Sequence, residues 1–123
     1  NLLTFSFRSD ILISEKRKEV HNMTFTKHLI NERFDRINFI INQVGFGKVI
    51  KESFREKYGR VERCCVTDTG VMMIKDKKED VVITMWIATL GQIEQAYKDE
   101  VIPHFLVEKA LDNRIYQRLQ HEI

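Results

Sequence analysis

The sequence has few of the residues and segments that mark special classes of protein. One proline and five glycines in 123 residues exclude collagen-like and low-complexity chains. No apolar run approaches the roughly 20 residues that a helix needs to span a bilayer. The first residues also lack the basic segment and cleavage site of a secretory signal. These absences predict a cytoplasmic protein with no membrane contact.

Cysteine is equally scarce, since Cys64 and Cys65 are the only two in the sequence. Adjacent cysteines rarely form a good disulfide with each other. Two thiols without a further Cys or His pair nearby do not make a zinc site. In a strand the two side chains point to opposite faces, so one of them is expected to be buried as a small hydrophobe. The sequence predicts no metal site and no cofactor.

The net charge is only +2, so the overall balance does not indicate a nucleic-acid binder. The distribution is less even: residues 27–63 hold nine Lys and Arg against five Asp and Glu, whereas residues 64–123 hold seven against ten. The basic half fits either a polyanion such as RNA or an ordinary solvated helix surface.

Hydrophobic residues make up 43% and charged residues 31% of the chain, which is typical of a folded domain. A length of 123 residues suits one core. The codons of Lys18-Glu-Val20 can contain a bacterial ribosome-binding sequence just upstream of Met23. Residues 1–22 are therefore interpreted as either a translated leader or an N-terminal extension, in which Leu3, Phe5 and Phe7 allow a short strand. Residues 23–123 are expected to form a single α+β domain.

Apolar spacing predicts two N-terminal helices. In the first, an apolar stripe with intervals of three and four residues runs from Ile30 to Val44, with Phe34 and Ile37 at its buried centre. The second is expected over 48–58, because Ile50, Phe54 and Tyr58 would share one side.

The pattern then changes to alternation, which predicts three strands over 61–67, 71–75 and 81–88. Short connections make them a three-stranded antiparallel meander. Thr89 and Gln92 have the spacing of a capping box that starts a helix ending near Tyr97. Pro103 fits the first turn of a last helical segment, with a break near Asn113. We expect these helices to pack on one face of the sheet.

The third strand places two residues of interest side by side. If Met85 and Ile87 face the helices, Val82, Thr84 and Trp86 line the opposite face. There Trp86 can stack a base and Thr84 can donate a hydrogen bond to a phosphate. In the alternative interpretation, the C-terminal helices cover this face and Trp86 is part of the core.

His28 lies opposite the apolar stripe of the first helix, close to Glu32 and Arg36 in helical projection. An imidazole exchanges a proton near neutral pH, and a guanidinium can hold a phosphate. The same residues are also compatible with a plain surface helix in which Glu32 and Arg36 form an i,i+4 pair.

Two segments together resemble the barnase/EndoU/colicin/RelE-like ribonuclease superfamily, most closely its small phage-encoded or toxin-like branch. In the first helix a His is followed by Arg at five and eight positions (Thr26 to Arg36), and a later strand ends in Ile83-Thr-Met-Trp86. The resemblance covers roughly residues 26–97. It implies N-terminal helices before an antiparallel sheet, and RNA cleavage without a metal ion.

Carried over to this chain, the resemblance implies a mechanism in which an RNA 2′-OH attacks its own adjacent phosphate. His28 would be the general base or acid, Arg36 and Arg63 would neutralise the developing charge, and Thr84 would hydrogen-bond a phosphate oxygen. The implied RNA-binding residues are Arg33, Arg63 and Trp86. The spacing from His28 to Arg33 departs from the family's usual interval of four, and no second histidine suits the acid role.

The alternative function is a non-catalytic phage or mobile-element accessory protein that binds a protein partner or a second copy of itself. Its basis is the C-terminal segment, which carries more apolar residues than one short sheet needs to cover it: Phe105, Leu106, Leu111, Ile115, Tyr116 and Leu119.

Overall fold

A computed structural model describes residues 4–8 and 22–123 as an α+β fold. The strands are β1 (Thr4–Arg8), β2 (Asn22–Thr26), β3 (Val49–Lys57), β4 (Arg60–Thr67), β5 (Val71–Asp76) and β6 (Val82–Ile87). The helices are α1 (Lys27–Gln43), α2 (Leu90–Tyr97), α3 (His104–Asp112) and α4 (Arg114–Leu119), and a 3₁₀ turn spans Gln120–Glu122. Within the described ranges no helix has the length and apolar character needed to cross a membrane.

The strands form one mixed sheet in the order β1-β2-β6-β5-β4-β3. The three expected strands are present as β4, β5 and β6 and are antiparallel, but the prediction of a three-stranded sheet is wrong. β3 extends the sheet on one side, while β2 joins β6 in parallel through Phe25 and Val82 on the other. Within the predicted leader, Thr4–Arg8 form β1 against β2, and the remainder of residues 1–21 lies outside the described residues.

The predicted second helix is the other error, because residues 49–57 form the edge strand β3. Residues four apart lie on the same face of a strand, in which side chains alternate between the two faces. They also lie nearly on the same face of a helix, which completes a turn in about 3.6 residues. Ile50, Phe54 and Tyr58 therefore fit either structure. The long antiparallel register with β4 decides in favour of the strand, and Tyr58 and Gly59 close the hairpin with positive φ angles of 54° and 73°, as a two-residue turn of this kind requires.

Helix α1 forms where its apolar stripe predicted it, and Thr26 caps its start by accepting a hydrogen bond from the N–H of Leu29 at 3.2 Å. The helix is interrupted at Arg33, whose φ and ψ are −135° and 26°. This kink changes which residues face inward. Ile37 is fully buried, whereas Phe34 is 39% exposed, so the placement of Phe34 at the buried centre is wrong.

Helices cover both faces of the sheet, which corrects the expectation of helices on one face. The α1-side core contains one set of buried residues, including Phe25, Leu29, Ile37, Ile40, Ile41, Cys65, Met73, Val82, Met85 and Ile87. The α2-side core contains a second set under α2 and α3, including Cys64, Val66, Met72, Ile74, Ala88, Ile93, Tyr97 and Leu106. Each of the adjacent thiols is thus buried in a different core.

A bulge in β6 explains why the sequence predicts the wrong face of the sheet for Val82. The register with β5 shifts between Ile74 and Lys75, so Val82 follows Thr84 in the pairing and Ile83 is the extra residue. Met85 and Ile87 face α1 as predicted. Val82, expected on the opposite face, also faces α1 because the bulge reverses the alternation before it.

The C-terminal helices begin and break close to the positions that the sequence predicts. Thr89 and Gln92 form the predicted capping box at the start of α2, and Pro103 directly precedes α3. The break between α3 and α4 falls at Asn113. After α4, the fully buried Gln120 accepts a hydrogen bond from the N–H of Ile87 at 2.8 Å and donates one to its carbonyl at 2.9 Å. A side-chain amide therefore takes the place of a neighbouring strand at the end of β6.

Candidate functional site

The three predicted site residues of the first helix all lie on α1. His28 is exposed in its first turn, and Arg33 is exposed at the kink, where it donates to the carbonyl of Glu32 at 3.3 Å. Arg36 is half-buried, and its Nε has no hydrogen-bond partner among the described residues. Burial, and after it the charge of Arg33, holds the pKa of Arg36 below its ordinary value.

Arg63, predicted to bind RNA, holds a loop in place. Its Nε donates to the carbonyl of Asp76 at 2.9 Å, and its Nη2 donates to the carbonyl of Glu79 at 3.0 Å. Its Nη1 donates to Oε1 of Glu52 at 3.4 Å. These bonds tie β4 to the turn between β5 and β6. Most of its donors are therefore engaged by the protein, and few remain for a ligand.

Thr84 and Trp86 lie on the opposite face of the sheet from α1. Thr84 pairs with Ile74, and Trp86 pairs with Met72; directly opposed residues of antiparallel strands project to the same face. Ile74 and Met72 belong to the α2-side core. The sheet therefore separates Thr84 and Trp86 from His28, and the structure does not bring the predicted catalytic residues onto one surface.

The face that carries Trp86 does contain a concave site, which we call the Trp86 cleft. It has a volume of about 310 Å³, at the lower end of the range for ligand pockets. Its walls are β3 and its neighbouring strands on one side and α2 on the other. The lining residues are Ser53, Phe54, Arg55, Cys64, Met72, Trp86, Gln92, Gln95, Ala96 and Lys98.

The orientation of the Trp86 ring is fixed by the start of α2. Its Nε1–H donates to Oε1 of Gln92 at 2.9 Å, and the same oxygen accepts the N–H of Thr89 at 2.9 Å. The capping box that begins the helix thus also anchors the indole. Trp86 is only half-buried, so the ring is held with its polar edge satisfied while it still lines the cleft.

Two cationic side chains line the cleft, Arg55 on β3 and Lys98 after α2. Arg55 contacts Glu62 through Nε and Nη2, each at 3.2 Å from Oε1. A guanidinium has five N–H donors, so others remain for a ligand. Lys98 is exposed, and no carboxylate pairs with it in the part of the chain that the structure describes.

The charges of the β3–β4 hairpin are divided between its two faces. Alternation and register place four cations on the face of the Trp86 cleft against one carboxylate, Glu62. The opposite face carries two carboxylates, Glu52 and Glu56, against Arg63. The cations on the cleft face are Lys51, Arg55, Lys57 and Arg60. This side of the hairpin is consequently a basic strip that leads from its tip to the cleft.

The sequence interpretation named Trp86 as a site residue but none of the other residues that line this cleft. A signal was present, since Lys51, Ser53, Arg55 and Lys57 alternate with bulkier or acidic residues at a period of two. Reading 48–58 as a helix distributes these residues around an axis. Read as a strand, the same residues share one face.

The titratable groups that line the cleft are one thiol and two cations. Among its described lining residues there is no histidine and no carboxylate. Burial raises the pKa of the Cys64 thiol, and the opposing effects of Arg55 and Ser53 are smaller. A neutral thiol is a poor nucleophile. Across residues 4–8 and 22–123, no three His, Cys, Asp or Glu side chains are grouped so as to hold a metal ion.

No protein-family model matches this chain, and neither does a curated protein or a solved structure.

Proposed function

We propose that this domain binds single-stranded RNA, with one base in the Trp86 cleft and the neighbouring phosphates along the β3–β4 hairpin. The observation that supports it is the placement of an anchored Trp ring and two cations, Arg55 and Lys98, around one cleft. An aromatic platform within a positive groove is the usual means by which proteins hold unpaired strands.

The dimensions and charges of the site suit this ligand. A cleft of about 310 Å³ accommodates one unstacked base, and Met72 and Ala96 provide apolar contact beside the indole. The basic strip extends outward to Tyr58, which is 91% exposed at the hairpin tip and has the Lys57 ammonium 5.5 Å from its ring centroid. Further nucleotides therefore meet cationic side chains and, at the tip, one exposed aromatic ring.

The proposal is binding without cleavage. The ribonuclease mechanism implied by the resemblance requires His28 and Thr84 at the same phosphate, and the sheet lies between them. The cleft itself offers no base that titrates near neutral pH. RNA incubated with the protein in EDTA between pH 5 and 9 should therefore stay intact.

The first prediction concerns Trp86. Trp86→Leu should preserve the fold and weaken binding of a labelled ten-nucleotide single-stranded RNA roughly 5- to 150-fold, because stacking of one base contributes about 1–3 kcal/mol. Fluorescence anisotropy at low salt measures the affinity. Tyr116→Leu is the matched control, since Tyr116 packs edge-on against Phe39 in the α1-side core.

Two results would contradict the proposal. One is an absence of binding by the parent protein at tens of micromolar. The other is equal affinity of Trp86→Leu and the parent. Preference for duplex RNA over single strands would exclude a cleft that holds an unpaired base, and equal binding of single-stranded DNA would widen the ligand class.

A specific observation also favours a second function, self-association through α3 and α4. Phe105, Leu111 and Ile115 remain 46%, 41% and 48% exposed. Hydrogen bonds on both sides of Asn113, each of 2.9 Å, keep the two helices nearly continuous. Two acidic residues, Glu108 and Asp112, and one basic residue, Lys109, precede the break, whereas Arg114 and Arg118 follow it. A two-fold axis would place each acidic half against the basic half of a second copy.

Light scattering across a range of protein concentrations tests this second function. We expect a dimer that Ile115→Asp converts to a monomer, because a carboxylate would then be buried without a partner. Val101→Asp is the control, since Val101 is 91% exposed and lies outside both helices. A parent protein that stays monomeric at the highest concentration reached would exclude the dimer.

A further inference from the structure

The residue that follows α2 has an unfavourable backbone conformation for its type. Lys98 has φ and ψ angles of 55° and −119°, a combination in which a side chain is crowded by its own backbone and which glycine normally occupies. Its N–H still donates to the carbonyl of Glu94 at 2.9 Å, so the helix end itself is well formed. Glycine at this position would end the helix without the strain.

Elsewhere the chain uses glycine where φ is positive. Gly45, Gly47, Gly59 and Gly70 have φ angles between 71° and 87°. Within the described residues, the other non-glycine exception is Tyr58, at the tip of the β3–β4 hairpin. Tyr58 owes its positive φ to the two-residue turn, whereas strained residues outside such turns cluster at functional sites. Lys98 lines the Trp86 cleft, so its task should be found there.

The pairing of nearby cations indicates what this task is. Lys51 forms an ion pair with Glu100, and Arg55 is bound to Glu62. Of the two cations that line the cleft, Lys98 is the one without a carboxylate partner among the residues described. An unpaired cation and an indole that line one cleft suit a ligand that has both an anionic group and a flat ring.

We infer that Lys98 is the phosphate-binding residue of the cleft, and that its strained backbone conformation is retained because it holds the ammonium on the rim next to Trp86. This inference rests on the proposed function, and it identifies the unit bound in the cleft as one nucleotide, with its base on Trp86 and its phosphate on Lys98. Glycine at position 98 would fold more favourably and bind less well.

The experiment separates these two effects in one variant. Lys98→Gly should raise the melting temperature by about 3 °C or more, because the strain is removed. It should also weaken binding of the ten-nucleotide RNA about 5- to 10-fold at low salt, as expected for one partly screened charged contact. The slope of log K against log salt should fall by about 0.7.

Two controls isolate the cause. Lys98→Arg keeps the charge and the strain, so its affinity and melting temperature should both stay near those of the parent. Lys77→Ala removes an exposed lysine from the turn between β5 and β6, and it should leave RNA affinity nearly unchanged. A charge effect confined to position 98 then supports the inference.

Other results for Lys98→Gly or for the parent protein would contradict the inference or the proposed function. If Lys98→Gly binds RNA as tightly as the parent, or melts no higher than the parent, the inference is wrong while the proposed function stands. If the parent protein does not bind single-stranded RNA at all, the proposed function is wrong, and the phosphate-binding role of Lys98 is wrong with it.

Discussion

Ile37→Ala should lower the free energy of unfolding by about 2–5 kcal/mol. Ile37 is fully buried on α1 and belongs to the α1-side core, which includes Met73 and Met85 on the sheet. Truncation removes three carbons from this core and leaves a cavity that neighbours only partly fill. Because small domains are stable by about 5–15 kcal/mol, the variant should show a large shift in its urea midpoint with little change in slope.

The same chemical change at an exposed position provides the control. Ile115→Ala, on α4, removes a side chain that is 48% exposed and should cost much less, measured at a low protein concentration. Ile37→Val, which removes one carbon, should cost about 0.5–1.5 kcal/mol and gives an intermediate point if the alanine variant fails to fold. Equal losses for Ile37→Ala and Ile115→Ala would mean that α1 does not pack as described.

Gln120→Leu should be similarly destabilising for a different reason. The side-chain amide is 1% exposed and bonds both the N–H and the carbonyl of Ile87. Leucine has a similar volume but no polar atoms, so both main-chain groups would be left buried and unpaired. Each such group costs about 1–3 kcal/mol, which gives an expected loss of about 2–6 kcal/mol.

Amide hydrogen exchange locates this loss on the strand. In Gln120→Leu, the Ile87 amide should exchange faster relative to other amides of the sheet, because its acceptor is gone. Gln43→Leu makes the same substitution at an exposed position at the end of α1 and should change neither stability nor exchange appreciably. Unchanged protection of Ile87 in Gln120→Leu would contradict the role described for Gln120.

The parts of the fold that the sequence predicts well are those specified by local signals. The capping box at Thr89 and Gln92 defines α2, because its hydrogen bonds join residues three apart. The three strands β4 to β6 follow from alternation and short turns. The kink at Arg33 has no such signal, and it is enough to move Phe34 out of the buried stripe.

The candidate site was harder to predict because it depends on β3. Its apolar residues, spaced four apart, fit a helix and a strand equally, and its alternating polar residues are a weak signal. The strand is stabilised by pairing with β4, over as many as 18 residues of separation between Val49 and Thr67. The cleft then requires α2 to pack against this strand. The packing of α2 against β3 depends on tertiary structure, and the local sequence of β3 does not predict it.

The two adjacent cysteines of β4 lie on opposite faces of the sheet. Cys64 belongs to the α2-side core and Cys65 to the α1-side core, so a single peptide bond joins the two layers. Burial, with Glu52 as a second cause, raises the pKa of Cys65 to about 11, and burial raises that of Cys64 as well. Both thiols are therefore protected until their own layer opens. The order in which a thiol reagent labels them reports which side of the sheet detaches first during unfolding.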